Sequence, residues 1–110
     1  MSLDNASILV ICEQAQIGSG LVELIAAADG DVIYAATACE ALQRLAQFRF
    51  AGAVLATCSR AAEVADALRV KEIAFCVFGM DFARSVPIFG RLIASEMEEL
   101  VPILTRVIKR

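Results

Sequence analysis

Apolar and polar residues follow one another along the chain in blocks whose periodicity alternates between strand-like and helix-like. Uninterrupted apolar runs recur, and such runs are typical of strands that are buried on both faces of a sheet. Four of them predict strands at 7–12, 32–35, 52–56 and 73–78. A further run at 86–89 contains Pro87, whose nitrogen has no hydrogen to donate to a neighbouring strand. This run therefore predicts a short strand at the edge of the sheet.

Between these runs, apolar residues recur every three or four positions, which is the pattern of helices with one buried face. The first helix is expected to end at 29–31, where a glycine lies between two aspartates. Thr37 and Glu40 have the spacing of a capping box at the start of the second helix. The predicted buried faces are Ile17, Leu21, Leu24, Ile25 and Ala28; Ala38, Leu42, Leu45, Ala46 and Phe48; Ala61, Val64, Ala65 and Leu68; and, in a last helix, Met97, Leu100, Val101, Leu104, Val107 and Ile108.

Strands and helices alternate in this prediction, so the fold class is α/β, with a doubly wound parallel sheet of five strands and helices on both faces. One domain spans residues 1–110, and residues 1–3 are a candidate cloning remnant. Only residues 79–85 separate the fourth and fifth strands, which is too short for an ordinary helical crossover. The fourth helix is therefore expected to be shortened or missing. Pro102 must either lie in the first turn of the last helix or bend it.

The composition is that of a folded domain, because 59% of the 110 residues are hydrophobic and 21% are charged. It excludes a disordered chain. The apolar runs are far shorter than the ~20 residues that a membrane-spanning helix needs, and no secretion leader opens the sequence. The net charge of −3 disfavours nucleic-acid binding. We therefore expect a cytoplasmic protein that binds neither membranes nor nucleic acid, and interpret Arg106, Lys109 and Arg110 as helix-end charges.

The four cysteines, Cys12, Cys39, Cys58 and Cys76, have no C-x-x-C spacing, and the chain has no histidine. The pattern therefore predicts no metal site, and nothing in the sequence indicates a cofactor. Free thiols in a reducing compartment are expected. Cys12 and Cys58 nevertheless lie at the ends of the first and third strands, where α/β folds bind ligands. A thiol pair with a redox role is therefore kept as an alternative.

The layout resembles that of a response-regulator receiver domain, a CheY-like variant of the flavodoxin-like fold, over nearly the whole chain. The resemblance rests on the order and spacing of three segments. These are an apolar strand with an acidic tip at 8–13, the entry to the second helix at 36–42, and the third strand at 53–56. It implies a bacterial protein of two-component signal transduction, in which a receiver carries a phosphoryl group on an aspartate that closes the third strand.

The residues that would perform this chemistry are replaced at the matching positions. Cys12 and Glu13 stand where two acids would hold Mg²⁺, Ala56 stands for the phosphoacceptor aspartate, Phe78 for the Ser or Thr that senses the phosphoryl group, and Arg91, or equally Gly90, for the lysine. Alanine has no oxygen to accept a phosphoryl group, and a lone carboxylate is a poor site for a hard cation. The resemblance therefore implies a pseudo-receiver that is not an enzyme.

A second resemblance concerns residues 12–20. A cysteine that closes the first strand, followed by a stretch rich in Gly and Ser at 18–20, is similar to the phosphocysteine loop of the IIB components of sugar phosphotransferase systems. It implies an alternative function as a phosphocarrier that uses Cys12. The glycines are about one residue too far along, and Glu13 would place a negative charge beside a phosphothiol. A nucleotide-binding loop is disfavoured, because Glu23 stands where G-x-G-x-x-G requires its third glycine.

A protein-binding surface is the function that the sequence favours. The short link after the fourth strand leaves little helix to cover nearby apolar residues, and exposed apolar patches mark interfaces. We therefore expect a signalling or scaffold module that binds a protein partner, or a second copy of itself, without phosphorylation. The candidate interface residues are Asp81, Phe82, Arg84, Val86, Ile88, Phe89, Leu100 and Leu104.

Overall fold

A computed structural model of the chain describes residues 6–56, 59–78, 93–94 and 101–103. Its strands are β1 (Ser7–Ile11), β2 (Asp31–Ala35), β3 (Gly52–Leu55), β4 (Ala74–Phe78) and the two-residue β5 (Ile93–Ala94). All pairs are parallel, and the strands lie in the order β2-β1-β3-β4-β5. This order is compatible with a flavodoxin-like fold. The predicted α/β class, with a parallel sheet and alternating helices, is confirmed.

The described helices between the strands are α1 (Ala15–Ala27), α2 (Ala38–Gln47) and α3 (Ala61–Val70). Successive residues of a strand point to opposite faces of the sheet, so the strands contribute to two apolar clusters. Leu9 and Ile11 of β1 belong to the cluster that α2 and α3 cover. Ile8 and Val10 belong to the cluster that α1 covers. The sheet therefore lies between two helical layers, as the apolar runs predict.

The start of α2 carries the predicted capping box in an altered form. Thr37 is the N-cap residue, and its Oγ1 accepts a hydrogen bond from the N–H of Glu40 at 3.1 Å. The Glu40 carboxylate reaches one residue further back than expected, where its Oε2 accepts from the N–H of Ala36 at 2.7 Å. Both bonds satisfy backbone donors around the first turn and so fix where the helix begins.

Helices α1 and α3 both end at a residue in the left-handed conformation. Asp29 follows α1 with a φ of 65°, and Glu72 follows α3 with a φ of 57°. After α3, the N–H of Ile73 donates to the carbonyl of Leu68 at 2.9 Å, and the N–H of Glu72 donates to that of Arg69 at 3.0 Å. This pair of bonds is the Schellman motif, whose left-handed position is usually a glycine. The chain uses an acidic residue there at both helix ends.

The predicted buried faces of α1 and α3 are confirmed, but the prediction for the end of α2 is wrong. Ala46 is exposed, and Phe48 is 47% exposed. The helix ends at Gln47, and the backbone of Phe48 is extended, so its side chain leaves the helix face. Phe50 is buried in the core instead, with its ring centroid 6.4 Å from that of Phe48 in an edge-to-face arrangement.

Three predictions concern residues outside the described ranges. These are the strand at 86–89, the link at 79–85 with its shortened fourth helix, and most of the last helix. Residues 101–103 are helical and include Pro102, and Ile103 packs against the cluster under α1. No helix in the described ranges is long and apolar enough to cross a membrane.

Candidate functional site

The carboxyl ends of β1 and β3 lie side by side, where flavodoxin-like folds bind ligands. Ile11 of β1 is in register with Leu55 of β3, so the next residues, Cys12 and Ala56, follow adjacent strands. The N–H of Ala56 donates to the carbonyl of Ile11 at 2.8 Å and continues this pairing by one residue. Cys12 is 0% exposed and Ala56 is 1% exposed. Two of the five positions that matched the receiver site are therefore brought together, and both are buried.

The same two residues belong to an apolar cluster together with a third replaced position. Cys12 and Ala56 pack with Leu21 and Ile25 of α1, and Phe78, the last residue of β4, packs against this cluster. A phenyl ring and a methyl group can neither accept a phosphoryl group nor hold a cation. At these three positions, the carboxyl edge of the sheet is apolar and continuous with the hydrophobic core.

Glu13 links two loops across this edge. Its Oε2 accepts hydrogen bonds from the N–H of Ser59 at 2.9 Å and from the Ser59 hydroxyl at 2.6 Å. Glu13 follows β1 and Ser59 follows β3, so the contact joins the loops that precede α1 and α3. Ser59 is 46 residues away from Glu13 along the chain, so local spacing could not have indicated this contact.

The thiol of Cys12 lies in the core and donates a hydrogen bond to the carbonyl of Gln14 at 3.3 Å. Burial raises the pKa of this thiol above its ordinary value, although the backbone groups of Gln14 and Gly18 act in the opposite direction. The carbonyl of Cys12 accepts a bond from the hydroxyl of Tyr34 at 2.6 Å. A thiol that is buried and holds its proton is a weak nucleophile.

The glycine-rich stretch at 18–20 lies inside α1 and forms no loop. Gly18 is buried in the first turns of the helix, directly against the ring of Tyr34. A Cβ on residue 18 would lie 2.6 Å from Cε1 and 2.9 Å from the hydroxyl oxygen of Tyr34. The close approach of helix and strand accounts for this glycine, and a phosphate cradle is not needed to explain it.

The other predicted site residues lie outside the described part of the chain. They are Arg91, Cys58 and the candidate interface residues Asp81, Phe82, Arg84, Val86, Ile88, Phe89, Leu100 and Leu104. Among the described cysteines, Cys12, Cys39 and Cys76 are free thiols, and Cys39 is exposed. In the same ranges, no group of three or more Cys, Asp or Glu side chains could hold a metal ion.

A groove lies at the amino ends of the strands, on the side opposite to the carboxyl edge, and was not predicted from the sequence. It has a volume of about 410 Å³ and lies between the end of α2 and the turn that follows α3. Its apolar walls are formed by Leu45, Phe48, Phe50 and Ile73, and its charged rim by Arg49, Lys71 and Glu72. The signal in the sequence was the F-R-F triplet at 48–50, whose two aromatic residues cannot both belong to the apolar face of the preceding helix.

Comparisons with known proteins give the fold and no family. No protein-family model matches the chain, and no curated protein is similar to it. Among solved structures, the chain is similar to a fusion of the yeast Spc42 trimeric coiled coil, amino acids 181–211, with another protein. The TM-score is 0.79 at 15% sequence identity, over 98% of this chain and 80% of that one. At this identity the similarity shows a shared fold alone.

Proposed function

We propose that this chain is a pseudo-receiver, a five-stranded flavodoxin-like module with a shortened fourth helix that takes up no phosphoryl group. It acts in the cytoplasm by binding a protein, either a partner or a second copy of itself, and it is not an enzyme. The main observation in support of this proposal is that Cys12, Ala56 and Phe78 share one apolar cluster at the carboxyl edge of the sheet. A receiver has two carboxylates and a hydroxyl at these three places.

The bond between Glu13 and Ser59 supports this proposal independently. A phosphorylatable site needs the loops after β1 and β3 to meet around a cation and a phosphoryl group. Here the same two loops are joined by two hydrogen bonds from Ser59 to one oxygen of Glu13. The carboxylate that matches a Mg²⁺ ligand of a receiver is therefore engaged by Ser59. Such a module offers a constant surface rather than a switched one.

The alternative, a phosphocarrier that uses Cys12, has less support. A phosphocysteine needs an accessible thiolate and backbone N–H groups directed at its phosphate. The Cys12 thiol is buried and donates to Gln14, and the stretch at 18–20 is already helical. The redox pair of Cys12 and Cys58 stays a prediction, because Cys58 lies outside the described residues.

The intact mass of the full chain tests the absence of phosphorylation. The protein is incubated with Mg²⁺ and acetyl phosphate, and separately with a phosphoenolpyruvate-driven relay. We expect no adduct in either case. An adduct that disappears in Cys12→Ser would establish the phosphocarrier instead, and an adduct that persists in Cys12→Ser would show that another residue accepts the phosphoryl group. A phosphorylatable receiver domain is the positive control for acetyl phosphate, and a IIB component is the positive control for the relay.

Protein binding needs its own measurement. Self-association is read from the mass in solution by light scattering, and partner binding from capture by the tagged full chain. We expect Phe82→Asp to abolish association while the circular dichroism spectrum stays unchanged. The reason is that Phe82 lies in the apolar interface predicted from the sequence, where a charge would oppose binding. Unchanged mass and unchanged capture in that variant would remove the interface at 81–89 from the proposal.

A further inference from the structure

The groove at the amino ends of the strands combines apolar walls with charged groups on the described surface. Phe48 lines it and is 47% exposed, which is unusual for a large hydrophobic side chain. Exposed apolar side chains that adjoin a concave site are typical of protein-binding surfaces. This apolar exposure is at the opposite end of the strands from the degenerate receiver positions.

The charge of the rim restricts what can bind. The chain carries a net charge of −3, but this rim has two cations, Arg49 and Lys71, against the single acid Glu72. Within the described part of the chain, neither cation takes part in an ion pair. Both side chains are exposed beside aromatic walls. A ligand with carboxylates around an apolar group would match this arrangement, because opposite potentials favour association.

We propose that this groove binds a short acidic segment of a partner protein. The segment inserts one large apolar side chain between the walls formed by Phe48, Phe50 and Ile73, and its carboxylates face Arg49 and Lys71. A peptide fits better than a compact small molecule, because it can present one apolar side chain to the walls and separate carboxylates to the two cations at the same time. The inference rests on the proposed function, since it adds a second binding surface to the interface expected at 81–89 and names the chemistry that this surface selects.

A designed peptide provides the first test. The probe is the capped peptide EDELFDE, titrated into the ¹⁵N-labelled full chain. Two matched peptides separate its features: QNQLFNQ lacks the charges, and EDESSDE lacks the apolar pair. We expect amide shifts centred on Phe48, Arg49, Lys71 and Ile73 with EDELFDE, and binding at least tenfold weaker with either control. Shifts centred elsewhere, or no binding of EDELFDE, would overturn the proposal, and equal binding of QNQLFNQ would overturn its acidic selectivity.

Variants of the chain provide the second test. Lys71→Glu is expected to weaken binding of EDELFDE roughly tenfold, as for loss of an interfacial charge contact. Arg60→Glu is the control for net charge, because it reverses one charge at the start of α3, near the carboxyl ends of the strands. It also breaks the ion pair between Arg60 and Glu63, so circular dichroism checks that the variant is folded. Equal weakening in both variants would reduce the effect to net charge and overturn the site. If 3-phenylpropionate binds as tightly as the peptide, the groove is a small-molecule site instead.

The two proposals fail in different ways. A phosphoryl adduct on the chain would remove the pseudo-receiver and leave the peptide titration unaffected. Partner capture that is lost in Phe82→Asp but unchanged in Phe48→Asp would keep a protein-binding module and overturn the groove as its binding site. Capture lost in Phe48→Asp, with an unchanged circular dichroism spectrum, is the result that we expect.

Discussion

The ring of Tyr34 occupies the space that a side chain on residue 18 would need. Tyr34 is held from β2 by its hydroxyl, which donates to the carbonyl of Cys12 at 2.6 Å. Gly18 faces it from α1, and a Cβ there would lie 2.6 Å from Cε1 of the ring. The tyrosine is therefore anchored at its far end and cannot turn away without losing that hydrogen bond.

Gly18→Ala is therefore expected to destabilise the protein by about 1 kcal/mol. Overpacking costs ~1–3 kcal/mol, and the better helix propensity of alanine returns up to ~1 kcal/mol. Urea unfolding, followed by circular dichroism, measures the change in free energy. In a Tyr34→Val background the clash is removed, so the same substitution should become neutral or stabilising. Gly20→Ala, in the same helix, is the control and should not lower stability. A loss that is equal in both backgrounds would contradict the contact.

The Glu13–Ser59 link is expected to stabilise the two loops by about 1 kcal/mol, which is typical of hydrogen bonds to a charged group at an exposed site. Glu13→Ala should lower the free energy of unfolding, measured in urea, by this amount. The amide hydrogen of Ser59 should also exchange with solvent faster. Ser59→Ala removes only the hydroxyl bond and should have a smaller effect. In a double-mutant cycle, the two changes should be less than additive. Full additivity would mean that the bond from the Ser59 hydroxyl to Glu13 contributes nothing to stability.

The layers of the fold could be predicted from the sequence, but the site could only be predicted in part. Apolar runs such as 52–56 predict buried strands because a parallel strand has no solvent face. The approach of Cys12 to Ala56 agrees with the positions that the receiver resemblance implies for both residues. The bond from Glu13 to Ser59 could not be predicted, because it joins residues far apart in the chain and depends on loop geometry. The exposure of Phe48 was missed because the helix ends one residue before it.

The left-handed residue after α3 predicts a stabilising substitution. Glu72 has a φ of 57°, where a Cβ costs roughly 1 kcal/mol that glycine does not incur. Glu72→Gly is therefore expected to raise the free energy of unfolding by up to ~1 kcal/mol. Lys71→Gly, one residue earlier at a φ of −85°, is the matched control and should be destabilising. Asp29→Gly after α1 should raise the free energy of unfolding by less, because aspartate tolerates the left-handed conformation better than glutamate does. A loss of stability in Glu72→Gly would show that its side chain contributes more than its backbone costs.

The buried thiol of Cys12 predicts a loss of stability in alkaline solution. Burial raises its pKa, so the folded protein keeps the thiol proton at pH values where the unfolded chain, with a thiol pKa of about 8.5, has lost it. The stabilisation from the neutral thiol is fully present below the unfolded pKa and is lost as the pH rises through the folded one. The free energy of unfolding should therefore fall above pH ~8.5, by at most about 1.4 kcal/mol per pH unit from this group.

Urea unfolding between pH 7 and 9.5 checks this slope below the range where tyrosine ordinarily titrates, near pH 10. Cys12→Ala should flatten the slope, whatever it does to the stability at pH 7. Cys39→Ala is the control, because Cys39 is exposed and its removal should leave the slope unchanged. The same pair of variants can be tested with iodoacetamide, which should alkylate Cys39 quickly and Cys12 only as fast as the protein opens. Rapid alkylation of Cys12 in the folded protein, or a slope that Cys12→Ala leaves unchanged, would contradict the buried protonated thiol and would strengthen the case for a phosphocarrier.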